Sequence, residues 1–267
     1  ESLNIKGKFV ALIICLYDSK TGTVYMCHAG DKIYRIYDSA SGVINRRELK
    51  ETPAVGPFPS FMVQMKGGFE VEKASLNKGD ILLLYTDGIE ENGRAKRNHD
   101  YSPILKPKLN SDGEQIVDEY GNLEWETDKE EFGEKRVEAI FEAVLKRQKY
   151  ILTKEKNPTA GEILEFDFSN CEGTVEECIK ALAAVEKVFR IYRPVTATAK
   201  DWVEVDTAID SFLKEHFSGY SEYAVYPKDK DGNEVKPKNP NYVYYAYCKE
   251  DVQEDDLTVI ALQRPSK

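Results

Sequence analysis

Gly79-Asp80-Ile81-Leu82-Leu83-Leu84-Tyr85-Thr86-Asp87-Gly88-Ile89-Glu90-Glu91 is the stretch on which the fold turns. Ile81 to Tyr85 is an unbroken apolar run too short for a helix of its own, and it suits a strand covered on both faces. The run passes directly into Thr86-Asp87-Gly88, a polar turn in which glycine permits a backbone that a Cβ would block. A carboxylate fixed at the rigid end of a buried strand is where a hard cation can be held.

The 267 residues are enough for one large domain or two small ones. With 41% hydrophobic and 31% charged residues the chain reads as soluble and globular. A net charge of -10 argues against nucleic-acid binding and against contact with an anionic membrane. The longest apolar run, Val10 to Tyr17, falls far short of the roughly 20 residues that span a bilayer. No signal peptide is visible, and a chain opening at Glu1 reads as a piece of something longer. Cys15, Cys27, Cys171, Cys178 and Cys248 are odd in number and form no zinc spacing. They are expected to be buried free thiols in a reducing, cytoplasmic compartment.

Outward from the opening stretch, residues 8–17 and Thr23 to Ala29 read as a hairpin around Asp18-Ser19-Lys20-Thr21-Gly22. Ile33 to Tyr37 reads as a third strand of the same meander. Residues 52–61 carry three prolines and read as extended loop. Phe69 to Leu76 alternates as a strand. Past Asn92 the chain turns polar, with hairpin-like turns at Ser111-Asp112-Gly113 and Tyr120-Gly121-Asn122. A helix opens at Phe132-Gly133-Glu134, with Val137, Ile140, Phe141, Val144 and Leu145 on one face. Ile163 to Phe168 reads as a short strand. Thr174-Val175-Glu176-Glu177 fits a capping box, heading a helix whose inner face is Cys178, Leu182, Val185, Val188 and Phe189, with Pro194 as its stop. A third helix is expected over Val203 to Phe217. Asp229 to Asn233 reads as a hairpin turn, since its glycine comes too early for a calcium loop. Tyr242 to Cys248 is an aromatic strand. A final strand follows the doublet Asp255-Asp256. His28, His99 and His216 fit no catalytic spacing, and no internal repeat is apparent.

Several of these segments, in this order, resemble the stage II sporulation protein E branch of the PPM (protein phosphatase 2C-like) phosphatases. Asp18-Ser19-Lys20-Thr21-Gly22 resembles that branch's D-x-x-T-G turn, and Cys27-His28-Ala29-Gly30 its N-A-G-H turn. Gly79-Asp80 with Leu82 to Gly88 resembles its G-D-x-L-L-L-Y-T-D-G strand. Phe132-Gly133-Glu134-Lys135-Arg136 resembles its F-G-x-x-R helix start, and Asp255-Asp256-Leu257-Thr258 its closing D-D-[IV]-T.

The resemblance implies an α+β fold, an antiparallel β-sandwich flanked by helices (αββα) with the N-terminal part missing. It implies a single partial phosphatase-like domain over 1–267, with residues 93–130 and 150–245 as insertions. It also implies hydrolysis of phosphoserine or phosphothreonine by a two-metal Mn²⁺ or Mg²⁺ centre, whose bridging water is acidified for in-line attack. Carried over, Asp87 and Asp255 are metal ligands, and Asp256 orients the site or binds through water. The expected partners are a phosphoprotein substrate and a second copy of the chain, in bacterial signalling, with the full protein attached to a membrane sensor. Two departures stand out. The family's N-terminal G-D-x-x-G-[HK]-G aspartates have no counterpart, so the metal centre is incomplete in this chain, and Asp31 replaces the histidine of the A-G-H turn. A catalytically inactive partner-binding module on the same scaffold is the alternative.

Overall fold

The first apolar run folds as an antiparallel hairpin of β1 (Leu12–Asp18) and β2 (Thr23–Ala29). This computed structural model describes residues 10–56, 58–154, 164–253 and 255–266. Phe9, Ile163 and Glu254, to which the sequence reading assigned strand ends and part of the acidic closing run, lie outside them. The chain divides into two compact units, Glu1–Tyr85 with Val259–Lys267, and Thr86–Thr258.

In the first unit, β2 pairs on its other edge with β5 (Glu72–Ser75). A second antiparallel sheet runs in the order closing strand (Val259–Gln263), β6 (Ile81–Tyr85), β3 (Ile33–Asp38), β4 (Val43–Glu48). The expected meander is therefore broken: β2 and β3 are consecutive in sequence yet belong to different sheets. Gly30, at φ +86°, makes the passage between them. Val24 and Met26 of one sheet share a core with Tyr34, Ile36, Leu82 and Leu84 of the other, which is the face-to-face packing of a β-sandwich. β6 is the central strand it was expected to be, with Ile81 to Leu84 all buried. A short helix, α1 (Ser60–Met65), occupies the end of the stretch read as loop.

Asp18 and Asp38 head two hairpin turns of the same design, Asp18-Ser19-Lys20-Thr21-Gly22 and Asp38-Ser39-Ala40-Ser41-Gly42. Each closes with a glycine at positive φ whose amide bonds to the aspartate's carbonyl at 2.8 Å. The Thr21 hydroxyl and the Lys20 amide hold the Asp18 carboxyl below its ordinary range, and the Ser41 and Ala40 amides do so for Asp38.

The second unit opens with a four-residue helix, α2 (Asp87–Glu90), and β7 (Gly93–Ala95), which pairs with β10 (Lys129–Glu131). Between them, β8 (Leu105–Pro107) pairs with β9 (Trp125–Thr127). Backbone amides bond in closed cycles of three, Lys96–Asp128–Ile104 and Lys108–Glu124–Ile116, so this segment is a stack of hairpins. The turns at 98–102, 110–114, 118–122 and 229–233 share one pattern. In each, the first residue's amide bonds to the fifth residue's carbonyl, and the fourth residue's amide to the first residue's carbonyl. The sequence reading saw the turns and missed that they repeat.

Helix α3 (Glu134–Leu145) buries Val137, Ile140, Phe141 and Val144 as its periodicity required, with Leu145 half-buried. β11 (Lys149–Leu152) and β12 (Leu164–Asp167) follow as a pair. The capping box forms as read: Thr174 Oγ1 accepts from the Glu177 amide at 3.2 Å and Glu177 Oε2 from the Thr174 amide at 2.9 Å. The helix it starts, α4 (Val175–Arg190), ends before Pro194, because β13 (Ile191–Tyr192) intervenes. Phe132 meets Phe189 edge-on at 5.3 Å, so the helix of the F-G-E-K-R segment shares a core with α4.

The helix expected from Val203 begins later. Trp202 to Asp206 is β14, whose alternating Val203 and Val205 are buried, and α5 (Thr207–His216) starts at an Asp206 cap accepting from the Ala208 amide at 2.7 Å. A short α6 (Tyr220–Tyr223) follows. The aromatic strand is β15 (Tyr242–Ala246), paired with β14, and β16 (Lys249–Glu250) pairs with β13. Tyr245 donates to Asp210 Oδ1 at 2.6 Å and Tyr244 packs against Trp202.

All five cysteines are free. Cys171, Cys178 and Cys248 are buried as expected, but Cys15 is exposed and Cys27 only half-buried. β1 is the edge of its sheet, so an apolar pattern there does not guarantee cover.

Candidate functional site

The strongest sequence expectation was that Thr86-Asp87-Gly88 and Asp255-Asp256 form one site. The structure brings these two turns together across about 170 residues of chain. The Thr86 amide donates to the Thr258 carbonyl at 3.0 Å, the Thr258 amide to Thr86 Oγ1 at 3.1 Å, and Thr86 Oγ1 to the Asp256 carbonyl at 3.0 Å. Those bonds extend a pairing already in register one residue away, where Tyr85 faces Val259.

Gly88 seals the junction. Its φ is not in the left-handed region, contrary to the expectation of a special turn backbone. It is small for another reason: a Cβ there would sit 2.5 Å from the Asp256 carbonyl oxygen and 3.2 Å from the Asp255 Cβ.

Asp87, Asp255 and Asp256 are all exposed. Asp87 Oδ1 accepts from the Gly88 amide at 2.9 Å, and Asp255 Oδ1 from the Asp256 amide at 2.7 Å. One oxygen of each carboxylate is thus fixed by the next residue's backbone, which holds the side chain in place. Asp256 takes part mainly through its backbone, as the acceptor for Thr86.

Hard cations favour such oxygen donors. Among the described residues, however, no group of three or more His, Cys, Asp or Glu side chains is placed to hold a metal ion. Asp87, Asp255 and Asp256 therefore do not by themselves make up such a group.

Other singled-out residues have structural partners. Asp80, 3% exposed, accepts from the Ser39 amide and hydroxyl at 2.9 and 3.0 Å and from the Asn77 amide at 2.8 Å, clamping two turns together. His28 is buried with Nε2 2.6 Å from the Lys50 carbonyl oxygen, and His216 has Nδ1 2.9 Å from that of Asp167. The sequence reading passed over Thr86 and Thr258 as the locks between the turns. Their signal was present as a threonine beside each acidic motif.

Residues 2–148, more than half of the chain, match the family model described as Stage II sporulation protein E (SpoIIE). The RsbU and RsbW domains of Rv1364c from Mycobacterium tuberculosis match at 24% identity over 33% of this chain and 23% of that one, with a TM-score of 0.25. The PP2C phosphatase domain with a fragment of the regulatory domain of SpoIIE from Bacillus subtilis matches at 18% identity over 33% and 24%, TM-score 0.26. The Mn-presoaked phosphatase domain of the same protein matches at 17% identity over 31% and 32%, TM-score 0.23. This chain thus spans between about a quarter and a third of these structures. No curated protein matches it. By the match over residues 2–148, the chain belongs to the stage II sporulation protein E family of phosphatase-like proteins.

Proposed function

We propose that this chain is the C-terminal portion of a metal-dependent phosphoserine/phosphothreonine protein phosphatase of bacterial signalling. In this reading Asp87 and Asp255 supply one edge of a Mn²⁺ or Mg²⁺ site, and Asp256 orients it. The observation that supports it is the lock between the two acidic turns through Thr86, Thr258 and Gly88. The pairing of β6 with the closing strand sets the two turns side by side, and in this reading a shared cation uses the carboxylates they carry.

Because the ligand set is incomplete, the remaining donors come from outside this chain, and the chain alone turns over little phosphate. The first unit also presents an unfinished surface. β1 is an edge strand whose Ile14 and Leu16 are 62% and 68% exposed, an arrangement that invites cover by further polypeptide. No helix among the described residues is long and apolar enough to cross a membrane.

The test is Mn²⁺-dependent release of phosphate from a phosphoserine peptide. The enzyme is a polypeptide carrying this chain together with the family's N-terminal half, beside its Asp87→Asn and Asp255→Asn variants. Turnover abolished by both substitutions is expected. The exposed apolar row on β1 also suits the second reading, a scaffold that binds partners without catalysis. Absence of turnover from the folded protein, with or without the substitutions, would select it.

A further inference from the structure

The second unit carries a cavity of about 400 Å³, open to solvent, that has no part in the acidic turns. That volume is in the range of small-molecule sites. Its walls combine two kinds of side chain: the cations Arg97, Lys154 and Arg193, with Arg94 beside them, and the rings of Tyr101, Tyr192 and Tyr247. Glu222 is the one carboxylate among the residues that line it.

Four cations line the cavity beside the single carboxylate Glu222. Arg94 is paired with Glu130 and Arg97 with Asp251. Lys154 Nζ donates to the Ile191 carbonyl at 2.9 Å, and Arg193 donates to the Glu222 carbonyl. Among the described residues no carboxylate pairs with Arg193. The aromatic wall is ordered: Tyr101 and Tyr192 lie 6.4 Å apart with planes 19° apart, and the Arg97 guanidinium sits 3.5 Å over the Tyr192 ring.

The backbone adds an independent observation. Among the described residues only Tyr101, Arg147 and Tyr247 are non-glycines in the left-handed region, with φ of 65°, 54° and 59°. Two of the three line this cavity. Tyr101 sits at the fourth position of the repeated five-residue turn, which Gly113, Gly121 and Gly232 fill at φ +80°, +83° and +83° in the sister turns. Glycine suits that position without strain, and a bulky ring does not. Strained side chains persist where the surroundings over-determine them, and they cluster at ligand sites.

We propose that this cavity binds a small phosphate ester that carries a planar ring, a molecule of mononucleotide size. The Arg193 and Lys154 cations take the phosphate, and the tyrosine wall takes the ring.

The experiment is calorimetric titration of the chain with AMP, inorganic phosphate and adenosine. The variants are Arg193→Gln and Tyr101→Gly, each with its unfolding midpoint measured. AMP is expected to bind more tightly than phosphate or adenosine. Arg193→Gln should weaken AMP by about tenfold or more, the loss of one charge-assisted contact. Tyr101→Gly should weaken AMP while leaving the fold as stable or more stable, because it removes the backbone strain. No binding of AMP at millimolar concentration overturns the assignment. So does AMP affinity unchanged in both variants, and phosphate bound as tightly as AMP removes the ring from it.

Discussion

Replacing Gly88 with alanine separates two physical effects of opposite sign. The added Cβ would lie 2.5 Å from the Asp256 carbonyl oxygen and 3.2 Å from the Asp255 Cβ. Carbon–oxygen contacts of this kind settle at about 3.3 Å or more, so the turns must part by about 0.8 Å. The obstructing atoms belong to backbone or its first side-chain carbon, and neither can swing aside. Overpacking of this sort costs about 1–3 kcal/mol. Against it, alanine in place of glycine at a helical, non-left-handed position stabilises by about 0.4–1 kcal/mol through the unfolded chain. The net expectation is a loss of about 1–2 kcal/mol in urea unfolding, accompanied by weaker Mn²⁺ binding as Asp87 and Asp255 are pushed apart. A Gly88→Ala variant as stable as the parent, or more so, would refute the reasoning. Only the unfolded-chain effect would then operate, and the turns would not touch in solution.

Other expectations follow from the same kind of arithmetic. Asp80→Ala removes a buried carboxylate with three donors and orphans the Ser39 and Asn77 groups, so urea unfolding should show a loss of about 3 kcal/mol. Thr174→Ala should cost about 1 kcal/mol at neutral pH through the lost cap of α4. Burial pulls the Glu177 carboxyl upward, but the Thr174 and Glu172 amides outweigh it and hold it below its ordinary 4.5. Its contribution is therefore present above pH 4.5 and lost as pH falls through the lowered value. The stability difference between parent and Glu177→Gln should shrink on acidification, and a difference that grows would contradict the capping geometry. Burial pushes the Cys178 thiol up to about 12 and those of Cys171 and Cys248 up to about 11. A disulfide reagent at pH 8 should label no more than Cys15 and Cys27 until the protein is unfolded.

What the sequence made legible was what local chemistry decides. The buried run at Ile81–Leu84, the capping box at Thr174 and the glycine-closed turns each carry their own physical signature within a few residues, and each formed as read. Non-local choices were not legible. The hairpins of β1–β2 and β3–β4 look alike in sequence, and only the shared core of Val24, Met26, Leu82 and Leu84 shows that they belong to opposing sheets. Val203 to Asp206 reads as helix in the sequence because a true helix follows at once. The period-two burial of Val203 and Val205 was overlooked beside the stronger signal.

At the acidic turns, the residue types pointed to oxygen ligation. The reason for Gly88 emerged only when the Asp256 carbonyl appeared against it. The cavity was the least legible feature. Its cations and rings come from turns and short strands scattered between Arg94 and Tyr247, with no spacing to connect them.

The central claim is that Asp87 and Asp255 form one edge of a single cation site, and Mn²⁺ calorimetry on this chain beside Asp87→Asn and Asp255→Asn tests it most directly. Weak binding by the parent, reduced to a similar degree by either substitution and no further by both, is the predicted result. Binding that survives either substitution unchanged, or no binding by the folded parent, would contradict it.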